Sequence, residues 1–97
     1  MLDIAFEAEI IEWRGPAPYL FAPVPEELTG EIRFAASVAS YGWGVVPVRA
    51  RASGIIFQTS LFPRDGGYLV PIKRAVQNAT GLAIGDRIRV ELLIAAR

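Results

Sequence analysis

Trp13-Arg14-Gly15-Pro16-Ala17-Pro18-Tyr19-Leu20-Phe21 and Phe62-Pro63-Arg64-Asp65-Gly66-Gly67-Tyr68-Leu69-Val70 read as two versions of one pattern. In each, strand-like residues run into an aromatic, a Pro- or Gly-rich linker follows, and a tyrosine six positions past the aromatic opens a new apolar run. The first copy continues through Pro23 and Pro25 into a helix-like stretch and Gly42-Trp43-Gly44-Val45-Val46; the second continues through Pro71 into a helix-like stretch and Gly85-Asp86-Arg87-Ile88. A duplicated strand, strand, helix, strand unit implies two pseudo-symmetric halves, residues 1–52 and 53–97, closing around one core in a single β-barrel domain.

The flanking residues supply the elements. Leu2, Ile4, Phe6, Ala8 and Ile10 alternate with Asp3, Ala5, Glu7 and Glu9, the period of a strand with one buried face. Ile10-Ile11 breaks that phase, which predicts a bulge and a bend, with Ile11 and Trp13 inward beyond it. Pro25 suits the first turn of a helix, Glu26 and Glu27 its positive end, and Leu28, Ile32, Ala35 or Ala36, and Ala39 form its apolar stripe. Val46 to Ala52 alternate again, Ser53-Gly54 predicts a tight hairpin into Ile55–Phe62, and Pro63 to Gly67 a second turn. Tyr68–Ile72 reads as a strand, Lys73–Thr80 as a helix ended by a left-handed Gly81, and Arg87–Ala95 as a strand burying Ile88, Val90, Leu92 and Ile94. The sum is mainly β: six strands and two short helices. Short strands leave unpaired edges unless the sheet closes, so a closed six-stranded barrel is the expected architecture.

Composition narrows the chemistry. Among 97 residues there is neither cysteine nor histidine, which removes disulfides, thiolate and imidazole chemistry and the usual zinc ligands. No cofactor or metal site is implied. The hydrophobic fraction is 53% and the mean hydropathy +0.35, high for a small domain, so some apolar surface is expected to meet a second copy or another partner. The longest apolar runs are about five residues, against about 18 for a membrane span. Asp3, Glu7 and Glu9 occupy the region where a secretory signal needs basic residues, and a cytoplasmic location is expected.

The zero net charge hides a division. Residues 1–44 carry seven carboxylates against two arginines, a net of −5, and residues 45–97 carry eight bases against three carboxylates, a net of +5. One reading pairs acidic strands with basic ones across the outside of the barrel, each pair contributing about 0.2–1 kcal/mol. The other makes Arg49, Arg51, Arg87 and Arg89, at alternate positions on two strands, an outward stripe that contacts an anion or nucleic acid. The pI of about 6.2 and the lack of interleaved aromatics favour the pairing reading.

Three functions follow in order. The first is a non-catalytic binding or interaction module, a homodimer among its forms, using Trp13, Tyr41 and Trp43 as ligand or partner surface; the competing structural role for each tryptophan is to plug the barrel. The second is nucleic-acid binding through the arginine stripe. The third is a carboxylate-based enzyme, with Asp65, Asp86 or Glu12 as base near Thr59 or Ser60, although aspartate in the two turns has a sufficient conformational reason.

Pro25-Glu26-Glu27, Gly42-Trp43-Gly44, Gly54, Thr59-Ser60-Leu61-Phe62-Pro63, Gly66-Gly67-Tyr68 and Gly85-Asp86, in that order, closely resemble the bacterial family labelled domain of unknown function 1905. The resemblance spans nearly the whole chain and implies a closed six-stranded barrel of the double-split type with two helices. It assigns no biochemical role. Val70-Pro71-Ile72-Lys73-Arg74 followed by Gly81-Leu82-Ala83-Ile84-Gly85-Asp86-Arg87-Ile88 is similar to the swapped-hairpin segment of AbrB-type transition regulators and antitoxins, which dimerise into one barrel and bind DNA. The chain departs from that pattern by an extra residue between Pro71 and Lys73 and by Gln77 where an arginine is usual.

Overall fold

Along residues 3–9, 46–52 and 87–94 inward and outward residues alternate, and that alternation builds much of the core. The structure is a computed structural model describing residues 2–13, 19–39 and 46–94. Its strands are β1 (Leu2–Glu9), β2 (Ile11–Trp13), β3 (Tyr19–Pro23), β4 (Val46–Ala52), β5 (Ile55–Arg64), β6 (Gly67–Ile72) and β7 (Arg87–Ile94). A 3-10 turn at Glu26–Leu28 leads into helix α1 (Thr29–Ala39), and α2 spans Arg74–Thr80. The mainly β class and the two helices expected from the sequence are observed.

The expected closed six-stranded barrel is not. All pairings are antiparallel, and the hydrogen-bonded order is β1-β7-β4-β5-β6-β3-β2, a seven-stranded sheet curled into a half-barrel. The strand count and the missing closure share one cause at the phase break read from Ile10-Ile11. There the first strand divides, leaves β7 and takes β3 as partner. Ile10 itself donates its N–H to the Asp86 carbonyl at 2.8 Å and accepts from the Gly85 N–H at 2.9 Å. The two outermost strands are therefore successive stretches of one chain, which cannot pair with each other, and the curl is fixed by the covalent link through Ile10.

The duplicated spacing also lands unevenly. Trp13 stands opposite Tyr19, whereas Phe62 stands opposite Leu69 and Tyr68 opposite Pro63. The two hairpins are one residue out of step in their register. The second linker is tighter than its composition suggests. β5 runs on to Arg64, and only Asp65 (φ 50°) and Gly66 (φ 79°) remain as a two-residue turn.

Ile4, Phe6, Ala8, Val48, Ala50, Phe57, Leu61, Val90, Leu92 and Ile94 form one continuous core with Ile32 and Ala35 of α1 and Val76 of α2. Helix α1 lies against β1 and α2 against β5. The Arg33 guanidinium donates to the Gly66 carbonyl at 3.0 Å, tying α1 to the β5–β6 turn. No helix among the described residues is long and apolar enough to cross a membrane.

Candidate functional site

The alternation that buries Ile88, Val90, Leu92 and Ile94 of β7 obliges Arg87, Arg89, Glu91 and Leu93 to face the other way. On β4 the same rule turns out Arg49 and Arg51, on β1 Asp3, Ala5, Glu7 and Glu9, and on β5 Ile56 and Gln58. The four arginines singled out from the sequence thus share one sheet face, on the adjacent strands β7 and β4.

They do not form an unopposed basic stripe. In the β1–β7 ladder Glu7 stands opposite Arg89 and Glu9 opposite Arg87; in the β4–β7 ladder Glu91 stands opposite Arg51. Glu91 is the centre of this arrangement. Its carboxylate lies 3.8 Å from Arg51 Nε and 3.9 Å from an Arg89 terminal nitrogen, long ion pairs between half-exposed groups that contribute about 0.2–1 kcal/mol each. The acidic β1 beside the basic β7 is the cross-strand arrangement that the charge division allowed.

Two grooves open on this face. One, of about 540 Å³, sits at the β4–β5 turn and is lined by Arg51, Ser53, Gly54, Arg87, Arg89 and Glu91. The other, of about 210 Å³, lies further along between Asp3, Arg49, Arg51, Ile56, Glu91 and Leu93. The turn beside the first has Ser53 (φ 50°) and Gly54 (φ 81°) both left-handed, as a two-residue hairpin requires.

The aromatic group is placed less completely. Trp13 belongs to β2, opposite Tyr19; Tyr41 and Trp43 lie outside the described residues. The candidate carboxylates are dispersed. Glu12 is exposed on β2, Asp65 pairs with Arg64 at 3.5 Å in the β5–β6 turn, and Asp86 accepts a hydrogen bond from the Ala83 N–H at 2.9 Å. Thr59 and Ser60 sit half-buried on β5.

Glu91 and Ile56 were not among the sequence candidates. A signal for both existed: a two-residue turn at Ser53-Gly54 places Ile56 opposite Arg51, and alternation along β7 puts Glu91 in phase with Arg87 and Arg89.

The family model described as Domain of unknown function (DUF1905) matches residues 6–92, nearly the whole chain. The chain belongs to the DUF1905 family. The match takes in all four arginines, Glu91 and Ile56, while Asp3, Ala5 and Leu93 of the same face lie just outside it. The family's description assigns no activity, and no curated protein matches the chain.

Proposed function

We propose that this DUF1905 protein is a non-catalytic interaction module that pairs with a second copy of itself through the outward face of β1, β7, β4 and β5. The observation that carries the reading is one row across the four strands. Ala5, Glu91, Arg51 and Ile56 stand side by side in register: apolar, acidic, basic, apolar. A half-turn about an axis parallel to the strands, between β7 and β4, lays this row on its own reverse. Ala5 then meets Ile56 of the second copy, and Glu91 meets Arg51 of the second copy, as an isologous interface demands. In the next row Asp3 meets Gln58 and Leu93 meets the aliphatic stem of Arg49. An axis across the strands would instead stack the β1 carboxylates on each other, so the charge gradient selects the first arrangement. Ile56, 64% exposed in the single chain, gains cover in the pair.

Trp13, Tyr41 and Trp43 extend the reading as a further partner surface, and a cytoplasmic setting is consistent with it. The test is sedimentation velocity on the protein and on Ile56→Lys. A dimer that the substitution converts to a monomer, with unchanged far-ultraviolet circular dichroism, is the expected outcome; a wild-type chain that stays monomeric at high micromolar concentration contradicts it.

The presence of four arginines on one face supports a second reading, nucleic-acid binding, which ranks below the first because Glu7, Glu9 and Glu91 stand among them. That reading requires a complex with mixed-sequence DNA that weakens steeply with added salt.

A further inference from the structure

We propose that the groove at the β4–β5 turn is a binding site for a multiply charged oxyanion of the phosphate class, a small polyphosphate rather than an extended backbone. Arg87 and Arg89 reach it from β7 and Arg51 from β4, with Ser53 also lining it. Three guanidiniums face a single carboxylate there, Glu91, so the groove carries an excess of two positive charges. Glu7 and Glu9, though opposite Arg89 and Arg87 in the ladder, do not line it.

The guanidiniums are available. The Arg87 side chain makes no hydrogen bond or ion pair with any described residue. The contacts of Arg51 and Arg89 to Glu91, at 3.8 and 3.9 Å, exceed the ~2.7–2.9 Å of a charge-assisted hydrogen bond. Their donors are therefore unspent, and guanidinium forks match phosphate oxygens in pairs. Arg87 and Arg89 are two residues apart on an extended strand, about 7 Å, which distributes their charge over neighbouring phosphate groups better than over one. The volume of about 540 Å³ is within the ~300–1,000 Å³ of small-ligand sites. Glu91 acts as a built-in competitor, holding the two nearest arginines loosely until a stronger anion displaces it.

This inference goes beyond self-association: the groove shares Arg51 and Glu91 with the self-complementary row, whereas Arg87 and Arg89, which the double variant removes, lie outside it. The experiment is calorimetric titration of the full chain with pyrophosphate at low ionic strength, repeated with the exposed double variant Arg87→Ala/Arg89→Ala and with Glu91→Gln. Removing both arginines should weaken binding by about tenfold or more, and Glu91→Gln should strengthen it severalfold by deleting the competing carboxylate. No binding of pyrophosphate at millimolar concentration, or affinities the same in all three proteins, overturns the proposal. So does tight, salt-sensitive binding of a short DNA duplex without any response to pyrophosphate.

Discussion

Thr29 opens α1 with its side chain buried at 7% exposure, and its hydroxyl oxygen finds no hydrogen-bond partner among the described residues. A buried polar atom left unpaired costs about 1–3 kcal/mol, so an apolar residue of the same shape is the better occupant. Thr29→Val should raise stability by about 1 kcal/mol, a gain of about 4–8 °C in Tm for a domain this size, measurable by thermal denaturation. A lower Tm would mean the hydroxyl is satisfied in solution. Gly81 shows the opposite constraint. It ends α2 at φ 73°, donates its N–H to the Gln77 carbonyl at 2.8 Å, and has open space where a Cβ would project. The left-handed backbone alone sets the cost of a side chain there. Gly81→Ala should destabilise by about 1 kcal/mol, seen as a lower urea midpoint with an unchanged slope.

Among the elements, β7 is the keystone, since it pairs with β1 on one side and β4 on the other. Leu92 stands between Ile4 and Ala50 and is fully buried. Its truncation to alanine should cost about 2–5 kcal/mol, read from urea unfolding followed by tryptophan fluorescence. A cost below 1 kcal/mol would mean the sheet relaxes into the space. These strands were legible because their period is strict: the inward set Ile88, Val90, Leu92 and Ile94 follows from alternation alone. So were the helix stop at Gly81 and the hairpin at Ser53-Gly54, where the chemistry of one or two residues decides the backbone. Partner exchange was not legible. Ile10-Ile11 announces a bend, but whether the chain continues with β7 or transfers to β3 depends on the Gly85-Asp86 backbone reaching Ile10 from far along the sequence. Equal spacing of Trp13–Tyr19 and Phe62–Tyr68 similarly hides a one-residue difference in register, because loop length and turn geometry are independent quantities.

For the whole molecule, the decisive property is a sheet with one face committed to the core and the other, among the described residues, left without a covering layer. The arginines were legible as outward residues; their meaning was not, because Glu91 and Ile56 acquire their roles only from the order β1-β7-β4-β5, which brings together strands distant in sequence. That order converts the −5 and +5 halves into neighbouring acidic and basic strands, and it makes one row of the face the mirror of its own chemistry. The most direct measurement is the dimer dissociation constant, by sedimentation equilibrium, for Arg51→Glu, Glu91→Arg and the double exchange. Each single reversal sets like charges against one another both within the chain and across the proposed dyad, and should weaken the dimer by about tenfold or more, while the double exchange restores it. Three variants that associate as strongly as the original chain, or a double exchange as weak as the single reversals, would contradict the pairing of Glu91 with Arg51 of a second copy.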